Sequence, residues 1–274
     1  MQLNRYKIEF TAKENGELAG FLGNVIRGSL GQALFDIDKN IYDIFYNKNF
    51  KIHENIDKIV KQNPPPPFAI NVMPTKREIN KGEKIQFILT VFGKYNQHIQ
   101  QFIPVFEKMA TDKINNISFE FTGMQKIPNP VNANTSYRLT DFENLSLDHE
   151  TFTLHFERPV MLESNKKLIT DFSFKKIFPY IDQRLFVLDQ IYGNATYKPV
   201  DKIPEILINK IQLKKFITLR TPANAKPQTK MAWTGQIQYH TKQEIQQIIP
   251  TLLFGQYIQI GSGTSFGFGK YSIK

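Results

Sequence analysis

The segment Gly261-Ser262-Gly263-Thr264-Ser265-Phe266-Gly267-Phe268-Gly269-Lys270-Tyr271 brings four glycines close together near the end of the sequence. Glycine accepts positive φ angles and lets a second backbone approach closely, so this spacing predicts a glycine-rich loop. The N–H groups of such a loop can cradle phosphates, here beside the basic Lys270. The structural alternative is a bulged hairpin that closes the edge of a sheet. Because glycine patterns alone are weak motifs, the phosphate-binding loop and the hairpin can be distinguished only with the rest of the sequence.

Before this loop, the spacing of the apolar residues predicts the same order of strands and helices in each half of the chain. In the first half we predict a strand, a helix, two strands, a helix and a strand, over residues 3–10, 17–35, 68–73, 84–92, 97–110 and 114–123. In the second half the same order is predicted over residues 151–160, 171–192, 206–219, 230–240 and 241–254, with a final strand from Gln256 onward. Thr241 and Glu244 have the spacing of a capping box for the last helix. Two βαββαβ units predict an α+β fold with tandem ferredoxin-like domains.

The segment 128–148 is rich in Asn, Ser and Pro and is therefore predicted to be a linker. It would separate an N-terminal domain over residues 1–127 from a C-terminal domain over residues 149–274 that carries the glycine-rich loop. The ferredoxin-like topology is shared with RNA-recognition modules, which favours RNA as a ligand by analogy only.

The composition excludes several classes of protein. The 274-residue sequence contains no cysteine, so disulfides, thiolate metal sites and a cysteine nucleophile are excluded. No apolar run approaches the roughly 20 residues that a membrane helix needs, and the first ten residues alternate like a strand. We therefore expect a cytoplasmic protein with no membrane partner. No carboxylate cluster suggests a metal site, and no cofactor is predicted.

The charge is strongly positive, with a formal net charge of +10 and a sequence pI of about 9.5. Between Ile206 and His240 the sequence contains no Asp or Glu, whereas it contains several cations: Lys210, Lys214, Lys215, Arg220, Lys226 and Lys230. Uncompensated cations in a strand-and-loop region are typical of a surface that follows a phosphate backbone. The alternative is a solvated loop, and the clustering favours nucleic acid.

Three groups of segments carry a resemblance to a known family. They are the glycine-containing helix 23–34, the strand segments 66–70, 81–83 and 89–93, and the C-terminal stretches 231–239 and 261–271. In order and content they resemble the CRISPR-associated endoribonucleases that process precursor crRNA, the sixth-numbered Cas protein family of the RAMP superfamily. The glycine-rich loop is the specific part of the match.

The resemblance implies two RAMP domains that bind CRISPR repeat RNA and cut it without a metal ion. The 2′-hydroxyl upstream of the scissile bond would attack the phosphorus, leaving a 2′,3′-cyclic phosphate and a 5′-hydroxyl. The chemistry needs a base, a cation for the developing charge and an acid for the leaving oxygen. Other Cas proteins of an effector complex are further expected partners.

The family places its active site beside the first helix and the segment that follows it. His53 is the histidine in that part of the sequence, so it is our first candidate for the base or acid, with Tyr42, Tyr46 and Lys51 nearby. Some relatives carry a histidine in the first helix, where this chain has Gln32. Arg27 is a fallback candidate for catalysis, and equally a candidate for anchoring the helix to the glycine loop.

For RNA binding we predict the six cations between Ile206 and His240, together with the backbone of Gly261, Gly263, Gly267 and Gly269 and the side chain of Lys270. Two other hypotheses for the function fit part of the sequence pattern. A non-catalytic RAMP subunit that holds guide RNA would have the same fold, charge and loop. An unrelated protein with tandem RNA-recognition modules is less favoured, because the basic-aromatic run of those modules is missing.

Overall fold

Each half of the chain forms an antiparallel sheet with helices packed on one of its faces. The computed structural model describes residues 1–18, 21–46, 64–73, 77–147, 150–164, 167–220, 228–241 and 244–274. No helix in these described parts is long and apolar enough to span a membrane.

The N-terminal unit follows the predicted order of elements. Its strands are β1 (Gln2–Ala12), β2 (Gly16–Glu17), β3 (Phe68–Val72), β4 (Glu78–Ile79), β5 (Lys84–Phe92), β6 (Phe119–Ile127) and β7 (Tyr137–Arg138). Its helices are α1 (Leu22–Ile37), α2 (Lys39–Tyr46) and α3 (Phe102–Thr111). The main sheet has the order β3-β5-β1-β6, which places the first strand between the third and the fourth of the βαββαβ unit. Alternate residues of β1, such as Ile8 and Phe10, are fully buried beneath the helices.

The C-terminal unit repeats this topology. Its strands are β8 (Thr151–Val160), β9 (Glu163–Ser164), β10 (Lys167–Leu168), β11 (Leu207–Arg220), β12 (Gln228–His240) and β13 (Tyr271–Ile273). Its helices are α4 (Phe174–Tyr192) and α5 (Ile249–Ile258). The sheet order β11-β12-β8-β13 again places the first strand of the unit between the third and the fourth. The prediction of an α+β fold with two ferredoxin-like units is thus confirmed.

Three predicted elements of the first half have different bounds. The helix predicted over 17–35 starts only at Leu22, because Gly16–Glu17 pairs with β4 instead. The strand predicted over 114–123 starts at Phe119, since residues 114–117 close a tight turn with two asparagines at positive φ. The helix predicted over 97–110 begins as a 3-10 segment and becomes α-helical at Phe102, with Pro104 in the first turn.

The predicted end of the second half is wrong in two respects, the start of the last helix and the extent of the final strand. The last helix starts at Ile249 rather than at Thr241, and Pro250 lies in its first turn, the position that proline favours. Thr241 and Glu244 therefore do not form the predicted capping box. Gln256 lies in this helix and not in a strand, so the final strand is the short β13 after the glycine loop.

Part of the segment 128–148 belongs to the folded core. Tyr137 is fully buried, and β7 pairs with the beginning of β1. Phe142 is buried as well, with its ring 5.8 Å from that of Phe254 in α5. The division of the chain into domains at residues 127 and 149 stays a prediction, while these contacts join the segment to both units.

The two units meet where α1 packs against the glycine loop. A Cβ atom built on Gly23 of α1 would lie 1.8 Å from the carbonyl oxygen of Phe266. Beside this contact, the ring centroids of Phe21 and Phe268 are 4.6 Å apart, and Phe216 of β11 joins the same cluster. Because only a glycine allows backbone atoms to approach so closely, Gly23 fixes the distance between α1 and the loop.

Two alanine substitutions in α1 test this close approach. Gly23→Ala should lower the free energy of unfolding by about 2 kcal/mol or more, since the new methyl group meets a backbone carbonyl that cannot move aside. Gly28→Ala is the matched control, because nothing lies within 4 Å of a Cβ atom there. It should raise the free energy of unfolding by up to about 1 kcal/mol through helix propensity. Equal effects of both in urea denaturation would contradict the close contact.

Candidate functional site

The glycine loop has the backbone conformation that its sequence predicts. Gly261, Gly263, Gly267 and Gly269 have φ angles of 75°, 80°, 90° and 84°. All four lie in the left-handed region, which side chains with a Cβ atom rarely adopt. Between the inner pair, Thr264–Phe266 forms one turn of 3-10 helix with Thr264 and Ser265 buried.

Many N–H groups of the loop are used inside the protein. Phe266 and Phe268 donate to the carbonyl of Gly263, at 2.9 and 3.3 Å, and Gly267 donates to Thr264 at 3.3 Å. Two further bonds tie the loop to the residues around the end of β8, from Ser262 to Met161 and from Gly269 to Pro159. These N–H groups stabilise the loop and its attachment to the sheet. Phosphate binding by the loop backbone stays a prediction, and these positions do not supply its donors.

Arg27 projects from α1 onto this loop. Its Nε donates a hydrogen bond to the hydroxyl of Ser265 at 3.1 Å. Its guanidinium carbon lies 4.3 Å from the ring centroid of Phe266 and 4.8 Å from that of Tyr46. Stacking on two rings holds the flat guanidinium group in one orientation. Both predicted roles of Arg27, as an anchor of the helix on the loop and as a catalytic cation, are compatible with this position.

Tyr46, the last residue of α2, contacts α1. Its hydroxyl donates to the carbonyl oxygen of Arg27 at 2.9 Å, and Gly31 provides the space for its ring. Burial raises the pKa of Tyr46 well above the usual range, so the phenol stays neutral. Tyr42 stacks on Tyr46 with ring centroids 5.4 Å apart and is half-buried. A groove of about 420 Å³ lies beside these residues, lined by Arg27, Gly28, Gly31, Gln32, Phe35, Tyr42 and Tyr46.

The structure thus brings together three of the five predicted catalytic residues, namely Arg27, Tyr42 and Tyr46. The other two, His53 and Lys51, lie outside the described residues. No group of three or more His, Asp or Glu side chains within the described ranges is arranged to hold a metal ion.

A second arginine reaches the loop from the C-terminal unit. Arg184 of α4 donates from Nη2 to the hydroxyl of Thr264 at 2.9 Å, and its Nε is buried with no hydrogen-bond partner. Burial lowers the pKa of Arg184 to about 10. Arg184 was not among the residues predicted from the sequence. The signal available was a basic residue next to the apolar stripe of a predicted helix, between Ile181 and Leu185.

The predicted RNA-binding lysines lie on the hairpin of β11 and β12. Lys210 and Lys214 are exposed and stand opposite Gln238 and Thr234, on the sheet face that the helices leave open. Lys215 is exposed on the other face, with its Nζ 5.8 Å from the ring centroid of Trp233. Lys230 is half-buried. Lys226 and the side chain of Arg220 lie outside the described part of the chain.

Lys270 is more buried than its predicted role in RNA binding suggests. Its Nζ donates to the carbonyl oxygens of Gln256 and Tyr271, at 3.0 and 2.9 Å, and lies 3.9 Å from a carboxylate oxygen of Glu157. Only 12% of its side chain is exposed. In this position it ties the exit of the glycine loop to the last turn of α5.

Comparisons with known proteins agree with the geometry. Residues 154–271 match the family model of the CRISPR-associated endoribonuclease Cas6, and residues 1–129 match a model described as an N-terminal domain. No curated protein sequence matches the chain.

Solved structures share the fold over the whole chain. A Cas6 product complex has 13% identity and a TM-score of 0.60, covering 100% of both chains. Thermus thermophilus Cas6 has 9% identity and a TM-score of 0.62, covering 99% of this chain and 98% of that one. A partial Cas6-RT-Cas1–Cas2 complex has 12% identity and a TM-score of 0.63, covering 100% of this chain and 46% of that one. At these identities the likeness shows a common fold.

The burial of Lys270 predicts a pH dependence of stability. Desolvation lowers its pKa to about 8, whereas an exposed lysine has a pKa of about 10.4. Between these values the unfolded chain binds more protons, so the free energy of unfolding rises with pH. From pH 7 to pH 9, wild type should gain about 1 kcal/mol relative to Lys270→Met. The exposed Lys274, substituted in the same way, serves as the control. Parallel pH curves for wild type and Lys270→Met would contradict the burial.

Proposed function

Because the chain belongs to the family of the CRISPR-associated endoribonuclease Cas6, we propose that it cleaves CRISPR repeat RNA without a metal ion, in the groove beside Arg27. The observation that carries the proposal is the position of Arg27. Its guanidinium group is bound to Ser265 and stacked on Phe266, at the contact between α1 and the glycine loop.

The proposed reaction is an internal transfer at one phosphodiester. The 2′-oxygen forms a bond to phosphorus while the bond to the 5′-oxygen breaks, which gives a 2′,3′-cyclic phosphate and a 5′-hydroxyl. A base takes the proton of the 2′-hydroxyl, and an acid gives a proton to the leaving oxygen. The guanidinium group of Arg27 stabilises the charge that develops on the phosphorane oxygens.

Two residues on the edge of the groove differ in their suitability for proton transfer. The hydroxyl of Tyr46 is committed to the carbonyl of Arg27, so Tyr46 holds the helix and the arginine in place. Tyr42 is half-buried on the same groove and is suited to contact substrate. His53 remains our first candidate for the base or acid and Lys51 a candidate for a second cation, from their place in the sequence.

The substrate would be held by the hairpin lysines. Lys210, Lys214 and Lys215 are exposed on β11, and neither β11 nor its neighbour β12 contains an acidic residue. Phosphate contacts of this kind dominate affinity and weaken steeply with salt. We propose repeat RNA as the ligand, and other Cas proteins as further partners, as the names of the solved Cas6 complexes suggest.

A cleavage assay in EDTA with repeat RNA of the source genome tests the proposal. Wild type should cut at one position and leave a 2′,3′-cyclic phosphate, detected by mass spectrometry. RNA with a 2′-deoxy sugar before that position should bind and not be cut. Arg27→Ala should lower the single-turnover rate about 100-fold or more, through loss of charge stabilisation. The exposed Arg138, replaced by alanine, is the matched control and should retain the wild-type rate.

Tight, salt-sensitive binding without cutting would contradict the proposal and favour a subunit that holds guide RNA. Cutting that needs magnesium would overturn the metal-independent mechanism. An unchanged rate for Arg27→Ala, with the fold intact, would limit Arg27 to its anchoring role.

The assignment of His53 has a separate test. His53→Ala should lower the rate of cleavage by about 100-fold or more, the usual contribution of general acid–base catalysis, and leave the affinity for RNA unchanged. The pH–rate profile of wild type should show a limb near the histidine pKa of about 6.5 that the variant lacks. A full rate in His53→Ala would move the role to Tyr42 or Lys51.

A further inference from the structure

Phe266 lines a second pocket besides contacting Arg27. This pocket has a volume of about 190 Å³ and lies between α1, the residues after β8, the β11–β12 hairpin and the glycine loop. Its polar lining residues come from all four of these segments: Asn24, Glu163, Thr218, Lys230 and Ser262. Its apolar surface consists of Met161, Phe266 and Phe268.

The size and lining of the pocket limit what it can hold. Pockets for drug-sized ligands measure roughly 300–1,000 Å³, so this one takes a smaller group. Aromatic side chains next to amide, hydroxyl and charged groups are the surroundings in which unpaired RNA bases are bound, by stacking and by hydrogen bonds to their edges. One base fits the pocket, and its ribose and phosphate would remain outside.

Glu163 is the feature that phosphate binding does not explain. It brings a negative charge into a pocket that also contains Lys230, next to a hairpin without acidic residues. Its Oε2 accepts a hydrogen bond from the hydroxyl of Ser262 at 3.2 Å, which orients the carboxylate. A carboxylate repels the RNA backbone, whereas it accepts hydrogen bonds from the amino group of a base.

We propose that this pocket binds one unpaired base of the RNA next to the scissile phosphate, and that Glu163 selects a base with an exocyclic amino group, cytosine or adenine. The inference rests on the proposed function. Asn24, Thr218 or Lys230 supplies a donor to the ring nitrogen beside the amino group. Uracil presents a carbonyl oxygen where cytosine presents its amino group, so the carboxylate rejects it.

The pocket is coupled to the proposed reaction through shared residues. The ring of Phe266 lines the pocket while the guanidinium carbon of Arg27 lies 4.3 Å from its centroid. Asn24 and Arg27 are one turn apart on α1, so both face the loop. A base held against Phe266 would therefore place a neighbouring phosphate close to Arg27. Glu163 acts as a specificity residue, and its effect should appear in the choice of substrate.

The test uses repeat RNAs that differ in one unpaired base near the cleavage site. Single abasic substitutions first identify the position that affects the rate of cleavage. At that position, RNA with cytidine or adenosine is compared with RNA that lacks the amino group, uridine or purine riboside. Wild type should cut the amino-bearing RNA about 10-fold faster, the usual discrimination of one good base contact. Glu163→Ala should cut both RNAs at the same, slower rate, so the two changes are not additive.

Two variants separate recognition from structure. Ser262→Ala removes the hydrogen bond that orients Glu163 and keeps the carboxylate, so it should weaken the preference for the amino group less than Glu163→Ala does. Glu150→Ala removes one exposed negative charge at the other end of β8 and should behave as wild type. Thermal unfolding checks that all variants are folded.

Three results would overturn the inference. They are equal rates of wild type on both RNAs, an equal loss on both RNAs in Glu163→Ala, or the same loss of preference in Ser262→Ala. A wild-type protein that cuts none of the RNAs would instead reject the proposed function, so the two failures are distinguishable.

Discussion

The position of α1 on the glycine loop depends on one close approach, between the backbone of Gly23 and the carbonyl of Phe266. A helix can pack its backbone against another backbone only where no Cβ atom intervenes. The contact brings the first helix of one unit onto the loop that ends the other. The pocket beside Glu163 lies at this junction and takes its lining from both units, so it would not exist in the separated units. The groove beside Arg27 is lined by residues of the N-terminal unit, and Arg27 connects it to the loop.

The loop is rigid enough for this role because its own backbone fixes it. Four glycines in the left-handed region turn the chain, and its N–H groups donate to carbonyls of the loop and of the residues around the end of β8. Arginines from both units then bind adjacent hydroxyls, Arg27 on Ser265 and Arg184 on Thr264. A glycine-rich loop can either offer its N–H groups to a phosphate or use them internally. At the positions with described bonds, this loop uses them internally and presents side chains instead.

The sequence was sufficient for the topology because each sheet has one buried face. Alternation in β1, β5 and β8 defined those strands to within a residue or two, and the long apolar stripe of α4 defined its helix. The predicted bounds are wrong where a local interaction, and not the spacing of apolar residues, sets the start of a helix. The pairing of Gly16–Glu17 with β4 delays α1, and Pro250 moves the start of α5 past an apparent capping box. The approach of Arg184 to Thr264 could not be predicted, because it depends on how the two units pack against each other.

Charge in the sequence does not distinguish an exposed cation from a buried one. Clustering of lysines in the sequence indicated the β11–β12 hairpin, and Lys210 and Lys214 are exposed there as expected. It could not distinguish Lys270, which burial turns inward onto two carbonyls, from its exposed neighbours. Nor could it indicate Glu163, an acidic residue whose interest arises only from the basic and aromatic side chains around it. If the protein binds RNA as proposed, every phosphate near the junction repels this carboxylate. Its place there is best explained by a contact that only a hydrogen-bond acceptor can make.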